Sequence, residues 1–394
     1  MIELLNIAFV SITIFTIFNS KNIFFINNSN NIFCNISINL VIFFNFCLFL
    51  SFFNKTVEYL FYILFFLFLV NLKSFFYNLR KFNYSFFILL NLCFFLKISA
   101  DPSLGWDGIA NWYPKVYNFL NSGTFFTLDN YPRFAYPHLG SYVWAVFSNY
   151  SFLEYEYPGR FIYFFLYISS IFLIISYSKE SDFKNFLIIL ILFIISFDFD
   201  LFKGYQEYLI FSLINIFVVF YYNSQNSKYF NLLSLLILNA IIWLKDEGLV
   251  YSIPILLMCL LKDKRLLSLK NAYFIFTYFI IVIFKLLMMS NLASNVLLGV
   301  FTIDQIFKEL FNFSTFLTDS ILIFKHFVIS YFKHPIWLFL ILFFLLPSKK
   351  IKNKKPYRDA LVIFIFCIIT NFLIFHVQRT EILEWHLTTA LDRL

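Results

Sequence analysis

The chain is poor in charge, in glycine and in paired cysteines, and each shortage removes a class of protein. Only 13% of its 394 residues are charged, against about 25% in an average soluble chain. A water-soluble globule is excluded. With 8 glycines there is no low-complexity linker, and no internal repeat of fixed period occurs. The five cysteines, Cys34, Cys47, Cys93, Cys259 and Cys367, stand singly in apolar runs. No CxxC pair or Cys/His cluster exists, so neither a disulfide framework nor a zinc site is indicated, and the thiols read as small buried hydrophobes. The first apolar segment, 2–18, has no basic region ahead of it and no small-residue cleavage site. It reads as a retained helix.

What is present is apolar: 61% hydrophobic residues, 62 of them Phe. Runs at 84–99, 160–177, 183–197, 229–244, 271–289 and 359–376 approach the roughly 20 apolar residues that a bilayer crossing needs. The shorter ones rely on flanking aromatics or local thinning. Helices apolar on every side cannot all be hidden in a soluble fold. The expected fold class is therefore an all-α polytopic membrane protein, 1–394 forming a single integral membrane domain. The heavy use of Phe, Ile, Asn and Lys looks like compositional drift, so a single Phe or Asn carries little information.

Basic residues gather in a few short segments: Lys73, Arg80 and Lys81; Lys179 and Lys184; Lys262, Lys264, Arg265 and Lys270; and "PSKKIKNKKPYRD" at 347–359. The positive-inside rule places these in the cytoplasm, and all share that side if about twelve helices cross. Those helices are expected near 2–18, 32–53, 57–72, 84–99, 160–177, 183–197, 207–222, 229–244, 248–261, 271–289, 335–347 and 359–376. Two amphipathic or partly inserted segments, 137–152 and 318–332, then do not cross. The outer face collects an external loop at 100–159, turns at 196–208 and 245–248, the stretch 290–334 and an amphipathic tail at 377–394. This face holds an acidic excess. The net charge of +8 is accounted for by the cytoplasmic loops, so no nucleic-acid partner is implied.

The unusual chemistry sits on that outer face. "GWDGIANWYPKV" (105–116) places Asp107 between two glycines and opens a short amphipathic helix over 109–121. Trp106, Trp112, Tyr113 and Tyr117 crowd around Asp107 and Asp101, as aromatic faces beside carboxylates do in sugar recognition, although aromatics also anchor helices at the interface. A carboxylate near apolar surface has its pKa raised and serves as a general base. "YPRFAYPHLG" (131–140) forces extended backbone before each Pro and offers Arg133 and His138. In "KDEG" the turn Lys245-Asp246-Glu247 places charge at helix ends, where charge is costly and usually functional, and a Lys there binds phosphate as a point charge. In the tail, His386 and Arg393 are seven apart and share a helical face, a pairing suited to phosphate. Lys285, Lys325 and His326 have no readable partner and read as snorkelling or fold-stabilising.

Together these segments resemble the GT-C superfamily of polytopic glycosyltransferases, which includes protein O-mannosyltransferases and lipid A aminoarabinose transferases. The similarity runs over about 84–260, through "GWDGIANWYPKV", "NSGTFF" (121–126), "AYPHLGSYVWA" (135–145), "GYQEYLIFSL" (204–213) and "WLKDEGLVYSIPIL" (243–256). The family step of Tyr or Lys followed by Pro-Pro-Leu reads Tyr136-Pro137-His138-Leu139 here, and Gly108 stands where a second acid often follows. The resemblance implies a sugar moved from a polyprenyl-phosphate donor to a lipid, glycan or protein acceptor at the periplasmic face of a bacterial inner membrane. Asp107 and Glu207 are the implied catalytic acids. Lys245, Arg133, His138, His386 and Arg393 are the candidates for the donor phosphate, and Trp106, Trp112, Tyr113, Tyr136 and Asp101 for sugar or acceptor. The resemblance implies no definite cofactor; a divalent metal, if used, would draw on Asp107, Asp198, Asp200 and Glu207. A polymerase or ligase of lipid-linked glycans, and a transporter or flippase of lipid-linked sugars, are the alternatives. The second should show discontinuous helices and inverted repeats, which the sequence lacks.

Overall fold

The computed structural model describes residues 2–19, 31–131, 134, 136–151, 153, 155–177, 185, 189, 200–223, 229–262, 269–292 and 313–333, with seven positions between 368 and 387. Among these residues every regular element is helical. In chain order they are α1 (Ile2–Phe18), α2 (Ile32–Leu50), α3 (Thr56–Leu79), α4 (Phe82–Ala100), a π turn (Gly108–Trp112) running into α5 (Tyr113–Leu120), a 3-10 turn (Phe125–Asn130), α6 (Leu139–Ser148) and α7 (Tyr157–Tyr177). A second 3-10 turn (Asp200–Lys203) precedes α8 (Glu207–Asn223), α9 (Phe230–Leu244), α10 (Glu247–Lys262), α11 (Leu269–Leu292) and α12 (Phe313–Lys333).

Local chemistry sets several of these ends. Asn31 caps α2 by accepting from the amides of Phe33 (3.0 Å) and Cys34 (3.4 Å), the preferred role of Asn at that position. Thr124 and Thr127 form a capping box on the 3-10 turn. Pro114 starts α5, where its missing N–H costs nothing.

Among the described residues five helices are long and apolar enough to cross a membrane: Ile32–Leu50, Thr56–Leu79, Phe82–Ala100, Tyr157–Tyr177 and Asn271–Leu292. Their surfaces point the same way. Tyr62, Phe66 and Val70 on α3 and Tyr273, Phe276 and Ile283 on α11 are exposed, an apolar exposure that water would penalise and lipid tails would not. The chain is a helical membrane-embedded protein.

Backbone contacts divide the chain into two units, one of Met1–Asn185 with Leu201–Ser294 and one of Phe186–Asp200 with Asn295–Leu394. In the first, α7 is the central helix and packs against α2, α4, α6 and α8, while α9 packs against α2, α8, α10 and α11. In the second, Ile323 and Phe327 of α12 form a buried cluster with Phe375, Leu383 and Leu387.

Two sequence expectations need correction. Of the two readings of segment 137–152, the amphipathic one fails, since all residues of α6 are buried; a partly inserted, non-crossing segment agrees with its 10 residues, about 15 Å or half a hydrocarbon core. Asparagine is also not uninformative. Asn239 donates to Asn45 (2.8 Å), which donates to the Leu236 carbonyl (2.9 Å), linking α2 to α9 by the interhelical polar bonding typical of membrane helices. The expected helices at 183–197, 335–347 and 359–376 lie almost wholly outside the described residues.

Candidate functional site

Three separate stretches of sequence meet in the first unit. The 101–107 loop, which carries Asp107, lies on the turn before α8, backbone against backbone. The Gly105 amide donates to the Lys203 carbonyl (3.0 Å), and a Cβ at Gly108 would stand 2.5 Å from that same oxygen. The two glycines around Asp107 are there for close approach. Arg160, fully buried near the start of α7, clamps the arrangement: it donates to the carbonyls of Pro102 (2.7 Å), Ser103 (3.1 Å) and Phe202 (2.5 Å) and pairs with Glu156 (2.8 Å).

Behind Asp107 lies a buried ionic network. Lys245, between α9 and α10, meets Glu207 at 2.9 Å and Glu247 at 3.3 Å. Burial opposes its charge, but Glu207, Glu247 and then Asp107 hold the ammonium well above its usual pKa. Asp246 turns the other way and meets Lys285 of α11 at 3.2 Å. Burial pushes the Asp246 carboxyl up, while Lys285 and, more weakly, Lys115 pull it down. Lys115, buried in α5, donates to the Tyr136 carbonyl at 2.7 Å. Its ammonium also lies 5.3 Å from the centre of the Trp112 ring and 5.7 Å from that of Tyr136, within cation–π range.

The sequence-derived candidates fall into distinct positions. Asp107, half-buried, takes a hydrogen bond from Asn111 Nδ2 at 3.1 Å and acts electrostatically on Lys245, so the two expected motifs do converge, with Glu207 beside them. Trp112 is buried with Tyr136 6.0 Å from its ring, and Tyr113 packs on Trp144. Trp106 is exposed. Asp101 is exposed and bonded to Ser103, whose hydroxyl and amide hold its carboxyl below the usual range.

His138, a candidate for the donor phosphate, is not on the surface. It is wholly buried, its Nε2 lies 2.7 Å from Ser51 Oγ, and Phe52, Phe119, Phe125 and Trp243 enclose its ring. Burial, then Lys115 and Lys285, lower its pKa to about 3, so it is neutral at physiological pH. Arg133, Asp198, His386 and Arg393 lie outside the described residues, as does the side chain of Asp200. Among the described residues no three His, Cys, Asp or Glu side chains are grouped as metal ligands.

Three buried cations make contacts that the sequence did not show. Lys285 is 1% exposed and ion-paired, which agrees with a fold-stabilising role and not with snorkelling; the available signal was the surplus acid in "KDEG". Lys115 stands inside a quoted motif between Pro114 and Val116, and nothing local to it marks it as buried. Arg160 binds carbonyls, which leave no trace in a sequence. No family model, curated protein or solved structure matches the chain.

Proposed function

We propose that the chain is a GT-C-like inverting glycosyltransferase with about twelve crossings, working at the periplasmic face of a bacterial inner membrane. It moves a sugar from a polyprenyl-phosphate donor to an acceptor hydroxyl. The observation that carries the reading is the meeting of Asp107, Glu207 and Lys245 in one ionic network at the ends of apolar helices, with Asp107 the half-buried, reachable member.

Asp107 takes the proton of the acceptor hydroxyl. The acceptor oxygen bonds to the anomeric carbon from the face opposite the phosphate. The carbon–oxygen bond to phosphate breaks and its electron pair leaves with polyprenyl phosphate. The leaving group departs as a stabilised anion, so positioning and charge stabilisation supply most of the rate. Glu207 and Lys245, paired at 2.9 Å, fix the wall against which the acceptor is held. Trp106, exposed one residue before Asp107, offers an aromatic face that suits a sugar ring.

The test is a panel of radiolabelled polyprenyl-phosphate sugars in proteoliposomes holding the full chain, with and without EDTA. Transfer with release of polyprenyl phosphate is expected for one donor, and the EDTA arm reads any need for a divalent metal. Donor crossing the bilayer with no sugar transferred would replace this reading with a transporter.

A further inference from the structure

Asp107 stands just ahead of the π turn Gly108–Trp112, and the sequence gives a reason for that turn. Tyr113 donates to the Gly108 carbonyl, five residues back, where an α-helix would reach back four. The next residue, Pro114, has no N–H for the Ala110 carbonyl, and a proline ring crowds the carbonyl four residues before it. The ladder is broken there and the turn opens. Gly108 lets the open turn lie against the Lys203 carbonyl, since a Cβ would stand 2.5 Å from that oxygen. Such turns are rare in helices at large and frequent at functional sites.

The open turn sets residue 111 over residue 107. In an α-helix a side chain four residues on is about 40° round the axis, and a wider turn reduces that offset. Asn111 Nδ2 donates to Asp107 Oδ1 at 3.1 Å. Asn111 is 3% exposed, so packing holds its amide. The other end of that amide, Oδ1, is buried and meets no hydrogen-bond partner among the described residues. A side chain kept for stability alone would not leave a buried oxygen unmet. The reverse amide orientation would set that oxygen against the carboxylate, so an ionised Asp107 also decides which way the amide points. Lys245 draws the same carboxylate by charge, but charge attraction sets no angle and a hydrogen bond does.

We infer that Asn111 is the positioning residue of the base: its buried amide, carried on the π turn that Pro114 opens, holds the Asp107 carboxylate in the orientation from which it takes the acceptor proton. The inference rests on the transferase reading. Asn111 touches neither donor nor acceptor in it and acts through Asp107.

The experiment is a double-mutant cycle between the two residues in the full chain, read as single-turnover sugar transfer in proteoliposomes and as melting temperature in detergent. Asn111→Leu, of similar volume, removes the donor and the unmet oxygen together. Transfer should fall about tenfold or more, because misplacing a reacting group by about an ångström costs up to about a hundredfold. Donor affinity should stay within a few fold, and the melting temperature should not fall with the rate. In the Asp107→Asn background the same substitution should change transfer by less than about twofold, since the group it positions is gone. A structural role gives the opposite pattern: a lower melting temperature and the same loss of rate in both backgrounds. Should Asn111→Leu fail to fold, Asn111→Ala takes its place in the cycle with the same expected result.

Transfer at the wild-type rate in the Asn111 variant, or an equal fall in both backgrounds, overturns the inference and leaves the transferase standing. No transfer by wild type with any donor overturns the transferase reading itself, and with it the base that Asn111 would position.

Discussion

Arg160 touches no candidate substrate group, yet it holds the loop of Asp107 against the turn before Glu207 through three carbonyls and Glu156. Replacing it with Met leaves Glu156 without its cation and three carbonyls without a donor. Removing one member of a buried pair costs about 3–5 kcal/mol, so Arg160→Met should lower the melting temperature in detergent and slow transfer together. Glu156 adds a pH dependence. Burial, against the pull of Arg160, raises its pKa from 4.5 to about 7. A raised folded pKa means that the stability is fully present below pH 4.5 and is lost as pH rises toward and through 7. Glu156→Gln should flatten the wild-type fall in melting temperature across that window; an equal fall in both proteins would contradict the assignment. Neither residue was legible in the sequence. Asp107 was, because glycines on both sides and dense aromatics mark a carboxylate held in a tight loop. Lys285 was not, because its partner lies 39 residues away and nothing local to it differs from a snorkelling lysine.

At the scale of elements, apolar run length located most helices; α4 and α11 run one to three residues beyond their expected ends, and α3 runs on from 72 to Leu79. The role of α6 was hidden. Its sequence carries Ser, Tyr and Trp, which read as a polar face. In the fold three of these side chains meet partners inside: Tyr142 donates to Thr56 (2.7 Å), and Trp144 and Ser148 donate to the Glu156 carbonyl (3.0 Å each). Periodicity cannot tell a solvated polar face from one satisfied by neighbouring helices. The contact of α6 with α7 depends on Gly159. A Cβ there would run into Ser148 Oγ and the Trp144 carbonyl, and a backbone oxygen cannot swing aside. Gly159→Ala should cost about 1–3 kcal/mol, read as a lower melting temperature with the helical content unchanged. A variant as stable as wild type would mean that α6 and α7 do not approach so closely.

For the whole molecule, the sequence indicated which segments come together better than which side chains pair. Basic loops and apolar runs indicated a helical membrane protein, and its odd residues were expected on one face; Asp107, Glu207 and Lys245 do meet. What sequence order could not reveal is charge answering charge across helices. Lys245, expected to await a phosphate, is held by Glu207 and Glu247, and His138, expected to reach the donor phosphate, is neutral and enclosed by aromatics. These outcomes depend on burial and on partners far along the chain, neither of which a short motif records. The proposed activity turns on Asp107, so the most direct measurement is single-turnover sugar transfer by Asp107→Asn against wild type in the same proteoliposomes, with donor binding followed in parallel. Loss of a general base costs about a hundredfold or more in rate. Transfer should therefore fall by at least that factor while donor affinity stays within a few fold. Transfer at the wild-type rate in Asp107→Asn would contradict the assignment of the base and move the chemistry away from this loop.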